Sequence, residues 1–338
     1  ICIWTGAASA RRMWLILQRM ELSLLVSGKT QSGSVERKLD KDFLLGVIFI
    51  LISSLGFALN QSFSNALGDR VGVFEKMFVH NMVGVVIFGI ILLKKRISFV
   101  GKEPKLLFYR AFFGFLSTLF VVVATTFSQR PLFELSVLTS TSAIVTMITA
   151  ALWLKEKVGK MQYLVVLVCF LGVVITVRPS PALLTDPFCL FAILGAAFGG
   201  AAYCVVRKLK DAAHPYTVVF AYCALSAACA LPVYLIKEVM MDGAGLCSLQ
   251  DFLCMVGMGL GVSVGQLFLN LAYRKAEASR LSPYSYVQNV YTLIISLVVF
   301  HQAISAYAYI GAALIIGANY MNLRLGRRET RKDGIVHE

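Results

Sequence analysis

The chain has 338 residues, 58% of them hydrophobic and only 15% charged, with a mean hydropathy of +0.76. This excludes a soluble globular domain, which runs nearer ~45–50% apolar and ~25% charged. The net charge of +14 would suggest nucleic acid in a soluble protein, but no polar surface interleaves aromatic with basic residues. Short basic loops lying against anionic lipid account for it.

The chain opens on Ile1, which reads as a fragment or as vector or upstream-frame sequence. Residues 13–26 (MWLILQRMELSLLV) are apolar but broken by Arg19 and Glu21. That spoils a signal-peptide core and leaves a short in-plane amphipathic helix. Residues 27–42 are polar and predict a disordered lead-in, so 1–42 is a leader without an assigned function.

Ten apolar segments follow, at 43–67, 74–93, 105–127, 132–154, 161–178, 187–206, 215–236, 251–273, 281–300 and 304–323. Each is about the ~20 residues that cross a bilayer as a helix. Of the 32 Lys and Arg, 27 fall in the leader, in every second connection and in the tail 324–338. The other gaps hold only Arg70, Lys76, Arg130, Arg178 and Lys237. Cationic loops stay cytoplasmic, so the reading is an all-α integral membrane protein with ten crossings and both ends in the cytosol, in a cell (inner) membrane.

Polar residues at membrane depth are satisfied internally or line a wet cavity. The first segment carries Asn60, Gln61, Ser64 and Asn65, an i,i+4 double pair. Glu75 and Lys76 open the second at its outer edge. His80, one turn deeper beside Asn81, is a candidate for proton coupling or simply a hydrogen-bonded histidine. Arg110 lies about one turn inside the third, where it snorkels to the headgroups or meets an anion at the inner mouth. Glu134 starts the fourth, where an acid suits the helix dipole. Pro179, Pro181 and Pro187 punctuate the join between two halves, 43–178 and 187–323. The eighth segment has Gly257, Gly261 and Gly265 spaced by four, with Gly195 and Gly199 similar on the sixth. Such ridges let helices pack closely, and smooth contacts can also slide. Gln266 and Asn270 share one face of the eighth, and the ninth carries Tyr284, Tyr286, Gln288, Asn289 and Tyr291. By depth, Gln266 and Gln288 predict one shared cavity just to the cytosolic side of the midplane. Each amide serves either as interhelical glue or as a solute contact.

Enzyme templates are missing: there is no G-x-S-x-G, H-E-x-x-H or phosphate loop, and no carboxylate pair at one depth. The eight cysteines show no C-x-x-C and no histidine at zinc spacing. Those within apolar segments read as small buried hydrophobes, and Cys247 lies in an outer connection. No metal or cofactor is expected.

Residues 135–163 laid on 281–309 match Leu135 with Leu281, Ser136 with Ser282, Thr146 with Thr292, Ile148 with Ile294 and Tyr163 with Tyr309. The fourth segment exits into Lys155-Glu156-Lys157 and the ninth into His301-Gln302-Ala303. That charge contrast expects two five-helix repeats inserted upside down to each other, a construction of secondary transporters. The run Val137–Val158, the glycine-bearing fifth segment with Gly172, and Ser282-Pro283-Tyr284-Ser285-Tyr286-Val287 resemble the EamA domain of the drug/metabolite transporter superfamily over about 43–323. Two departures stand out: Ala143 where proline is common, which implies a straighter fourth helix, and Gln302 where glutamate is common. The second change removes a possible charged anchor on the outer face, and the two together weaken the expectation of an energetic partner for Glu156 in the other half.

The resemblance implies a carrier of small organic solutes working by alternating access. Such carriers include exporters of amino acids, nucleosides and toxic cations, and S-adenosylmethionine uptake carriers or exchangers. The expected pathway residues are Asn60, Arg110, Gln266, Asn270, Tyr284, Gln288 and Asn289, which suit a polar or zwitterionic solute better than a multiply phosphorylated one. Expected partners are the solute, the bilayer and a coupling proton or counter-substrate, with a monomer or homodimer as the unit. A channel or a non-transporting membrane scaffold are the competing readings. A pore calls for a continuous polar stripe along several helices, which the sequence lacks.

Overall fold

A computed structural model describes residues 31–127, 132–181, 186–236, 248–301 and 305–336. Residues 13–26, Arg130, Lys237, Cys247, Gln302 and the side chain of Glu134 lie outside the described residues. Every regular element among them is helical: α1 Gln31–Leu67, α2 Val73–Lys95, α3 Pro104–Phe127, α4 Leu132–Thr139, α5 Ser142–Trp153, α6 Lys160–Val177, α7 Cys189–Lys208, α8 Pro215–Val233, α9 Leu249–Lys275, α10 Ala278–Leu281, α11 Val287–Val298 and α12 Ala306–Val336. Two 3-10 turns, Gly68–Arg70 and Ser282–Tyr286, complete the set. Residues 42–326 form one compact unit. A second unit comprises the terminal segments up to Lys41 and from Arg327; its described parts, 31–41 and 327–336, are helical.

Among the described residues, eight helical stretches are long and apolar enough to cross a membrane, with α4 and α5 counted together as Leu135–Trp153. The two remaining apolar segments differ for physical reasons. The ninth is divided between a 3-10 turn and the 12-residue α11. The tenth lies in α12, whose apolar part is diluted by Asn319 and Asn322. Large apolar side chains face outward, among them Leu93 at 67% and Leu152 at 78% exposure, as a lipid-facing surface requires.

Helix ends follow local chemistry. His214 caps α8, accepting from the Tyr216 N–H with Pro215 in the first turn. Ser248 Oγ accepts from Asp251 N–H at 3.1 Å to start α9. The fourth segment is broken rather than straight, contrary to the reading of Ala143. Thr139 and Ser140 both donate their hydroxyls to Ser136 O, at 3.1 and 2.7 Å, and Thr141 donates to Leu138 O at 2.5 Å. A run of four hydroxyl residues thus competes for the carbonyls that the helix would use, and α4 stops where α5 begins.

Close packing joins the spans. α3 lies against α7 and α8, α2 against α8 and α9, and α5 against α7. The glycine ridge of α9 meets α1: a Cβ on Gly261 would lie 2.8 Å from Gly56 O, and one on Gly56 only 2.7 Å from Gly261 O. Gly257 and Gly265 face the rings of Phe63 and Phe57. With lipid on both sides no hydrophobic drive separates helix from helix, so such backbone approach supplies the attraction. Cys169, Cys189, Cys204 and Cys223 are buried thiols within apolar clusters.

Candidate functional site: a hydroxyl- and amide-lined cavity

A cavity of about 190 Å³ opens among α1, α4, α5, α7, α9 and the ninth segment. From α1 it receives Ile50, Ser53, Ser54, Phe57, Gln61 and Asn65; from the α4–α5 break, Ser136, Thr139, Ser140 and Ser142. Tyr203 of α7 and Leu269 of α9 close it, and Ser285, Tyr286, Gln288, Asn289 and Thr292 form the facing wall. None of these lining residues is charged. The helix interruptions put hydroxyls here because the same side chains that end α4 sit at its exposed turn. Gln61 donates to Asn65 Oδ1 at 3.2 Å, the i,i+4 pairing expected. Ser53 donates to Gly265 O at 2.7 Å, pinning α1 to α9.

Of the expected pathway residues, Gln288 and Asn289 line this space. The others lie behind it. Asn60 donates to Met258 O at 3.3 Å, bridging α1 to α9. Asn270 donates to Gln266 O within α9 at 2.7 Å, and Tyr284 is 3% exposed in the apolar core. Gln266 does not share the Gln288 cavity: its Oε1 accepts from Arg110 Nη2 at 2.8 Å. Arg110 does not snorkel, for it is 1% exposed and lies over the Tyr222 ring at 5.4 Å. His80 donates from Nδ1 to Lys76 O at 2.6 Å, and its Nε2 lies 3.0 Å from Asn81 Nδ2, apart from the cavity wall.

The end of the bundle that bears the basic connections carries a network centred on Glu156. This carboxylate accepts from Ala278 N–H at 3.1 Å, Ser279 N–H at 2.9 Å and Ser279 Oγ at 2.7 Å. Arg207 lies 3.7 Å away and also donates to Tyr273 O at 3.0 Å. Arg274 donates to Lys210 O at 2.8 Å and to Ala213 O, Lys275 pairs with Asp42 at 3.0 Å, and Asn322 donates to Arg280 O at 3.1 Å. Glu156 therefore has partners in the other half, which the sequence reading did not foresee. Tyr203 and the serine lining were missed as well, although the hydroxyl run 139–142 was a visible signal for the latter.

Apolar helices packed through glycine around an uncharged polar chamber define a polytopic membrane protein built to hold a solute. The profile of the EamA-like transporter family matches residues 44–178 and again 187–324, and the chain belongs to that family of small-molecule membrane transporters. It is 21% identical over 275 residues to a pseudopaline exporter of Pseudomonas aeruginosa, covering 81% of this chain and 94% of that one. It is 23% identical to an S-adenosylmethionine uptake transporter of Rickettsia felis, over 82% of this chain and 92% of that one. A riboflavin transporter of Vibrio cholerae is 29% identical over 55% of this chain and 60% of its own. A solved crystal structure shares the fold with a TM-score of 0.72 at 18% identity, covering 85% of this chain and 98% of that one.

Proposed function

We propose that the chain is a secondary carrier of a small polar or zwitterionic metabolite, working by alternating access between inverted halves, 43–178 and 187–323. The observation that carries this reading is that matching positions of the two halves wall one cavity. At an offset of 146 residues, Phe57 pairs with Tyr203, Thr139 with Ser285, Ser140 with Tyr286 and Ser142 with Gln288, and all eight line it. The α4–α5 break matches the turn Ser282–Tyr286 at the same offset. Interrupted helices in corresponding places are where such carriers hold their cargo.

Neighbour relations support the same exchange. α1 on α9 corresponds to α7 on α3, and α2 on α9 to α8 on α3. Gly172 of α6 against Gly311 of α12 joins the fifth crossing to the tenth. The cavity extends to Asn65, an exposed residue at the end of α1 away from the basic connections, while the Glu156 network seals the other end. With basic loops in the cytosol, this arrangement faces outward, and breaking the seal turns it inward.

The relatives are named for three different metabolites and for both export and uptake, so the cargo is argued from the lining. Hydroxyls and amides without a fixed charge suit hydrogen-bonding solutes, and a multiply phosphorylated one would need several cations there. Both ring nitrogens of His80 are engaged, so proton coupling is not assigned to it. The test is counterflow of labelled amino acids and nucleosides in proteoliposomes. Saturable, trans-stimulated flux that falls at least about tenfold in Gln288→Ala and Asn289→Ala supports the reading, tenfold corresponding to about 1.4 kcal/mol of lost contact. Unsaturable flux would make the protein a channel, and saturable flux confined to sugar phosphates would replace the cargo class.

A further inference from the structure

Arg110 is a cation that the fold buries without an acid. Its guanidinium presents five N–H donors. Among the described residues they make one hydrogen bond, to the amide oxygen of Gln266 at 2.8 Å, and Nε has no acceptor. No ion pair reaches it among the described residues, and its electrostatic neighbours are the phenols Tyr203 and Tyr222 and the thiol Cys223. Three other cations at this end meet an acid: Arg207 at Glu156, Lys275 at Asp42 and Arg280 at Glu277. The space is also built for it. A Cβ on Gly114 would lie 2.6 Å from Arg110 Nη1 and 2.8 Å from the Tyr222 ring, so glycine at 114 makes room for the planar group.

A buried charge left unpaired is costly, and an apolar side chain of similar length would avoid that cost. We infer that Arg110 receives a carboxylate of the transported solute, with Gln266 Oε1 occupying one of that carboxylate's oxygen positions in the empty state. Planar, bidentate recognition of carboxylate is the geometry guanidinium serves best. No lysine or second arginine is among its electrostatic neighbours to balance a phosphate dianion. Tyr203 is coupled electrostatically to Arg110 and is also part of the cavity wall. The cargo is therefore a metabolite bearing one carboxylate, zwitterions included. This deepens the carrier reading and rests on it only for what delivers the carboxylate.

The probe is acetate itself. Thermal unfolding of the purified full chain is followed in sodium acetate against acetamide, sodium chloride and phosphate, salts being compared at constant ionic strength. Acetate should stabilise saturably where acetamide and chloride do not, and Arg110→Gln should weaken that response at least about tenfold. Arg110→Met, without acetate, should unfold no lower than the wild type because it removes an unpaired charge. Equal effects of acetate and acetamide, an unchanged response in Arg110→Gln, or stabilisation by phosphate below the acetate range would each overturn the assignment. So would a marked loss of stability in Arg110→Met, which would mean that the bridge to Gln266 is what the fold keeps. None of these measurements needs flux. An acetate response in a protein that carries no solute would sink the carrier reading and leave the anion site standing.

Discussion

Removing the Glu156 carboxylate should unlock the basic end of the bundle. Glu156→Ala deletes the acceptor of three hydrogen bonds, all between 2.7 and 3.1 Å, from Ala278 and Ser279. Bonds to a charged acceptor contribute about 1.5–3 kcal/mol each, but they are not additive and the freed donors rehydrate as the end opens. The Arg207 partner is 25% exposed, so that ion pair adds less than about 1 kcal/mol. A net shift of about 2–3 kcal/mol follows, or about 30- to 150-fold in the equilibrium between closed and open. Ser279→Ala removes one hydroxyl donor and leaves two N–H bonds, so it should shift the equilibrium only about fivefold, near 1 kcal/mol. The assay is a cysteine in place of Ser54, which lines the cavity and is 3% exposed, with the native cysteines replaced. An impermeant maleimide applied from the basic-loop side should label it faster by those factors. An unchanged rate in Glu156→Ala, or a larger effect in Ser279→Ala, would show that this network does not hold the end shut.

Gly261→Val should lower stability by about 1–3 kcal/mol, because the new side chain meets the immovable backbone at Gly56. Gly68→Ala, at φ +53° but with open space around it, should lose no more than about 1 kcal/mol; thermal unfolding of both variants ranks them. His214 is held below its ordinary range, first by burial and then by Arg274 and Lys95, and its Nδ1 accepts from Tyr216 N–H. The folded state therefore binds that proton less readily than the unfolded one. Its contribution is complete above about pH 6.5 and is lost as pH falls through and below that value. A melting temperature measured from pH 8 to 5 should decline less in His214→Asn, which caps without titrating, and an identical decline would remove His214 from the account. Cargo binding through the amides should survive Asn60→Ala, whose side chain bonds Met258 O, better than Gln288→Ala, as counterflow would show.

The helical membrane class was legible because lipid imposes a one-dimensional code. Runs of apolar residues mark candidate crossings, and among the described residues eight of the ten expected segments are long and apolar enough to cross a membrane. The contact of Gly257, Gly261 and Gly265 with α1 was half visible, since spacing identifies a ridge but not what rests on it. What failed depended on direction rather than depth. Gln266 and Gln288 are expected at one depth, yet one turns to Arg110 and the other to the cavity. Ala143 in place of the common proline implies a straighter fourth helix, since proline breaks helices. The neighbouring hydroxyls break it by a different route, capturing carbonyls from Ser136 and Leu138. Glu156 meets Ser279 across 123 positions of sequence, and no local pattern announces such a pairing.

On the proposed carrier reading, Glu156 and Arg110 divide the work on the basic side. Glu156 is saturated with donors contributed by the other half, so its energy resides in the closed arrangement and is spent when that end parts. Arg110 is unsaturated, so its energy resides in a complex not yet formed. A carboxylate arriving at Arg110 would displace the amide that ties α3 to α9, and so loosen a contact between the halves only when cargo is present. A ligand can shift a conformational equilibrium only by its differential affinity for the two states. Here that difference is the Arg110–Gln266 tie, which cargo must displace where the halves are held together and not where they have parted. It follows that Arg110→Gln, which removes that tie, should raise the unloaded cysteine-labelling rate only slightly and abolish its acceleration by carboxylate solutes, whereas Glu156→Ala should raise the unloaded rate far more and keep the acceleration. If both substitutions changed the unloaded rate alike, the two charges would belong to one structural network and the division would be wrong.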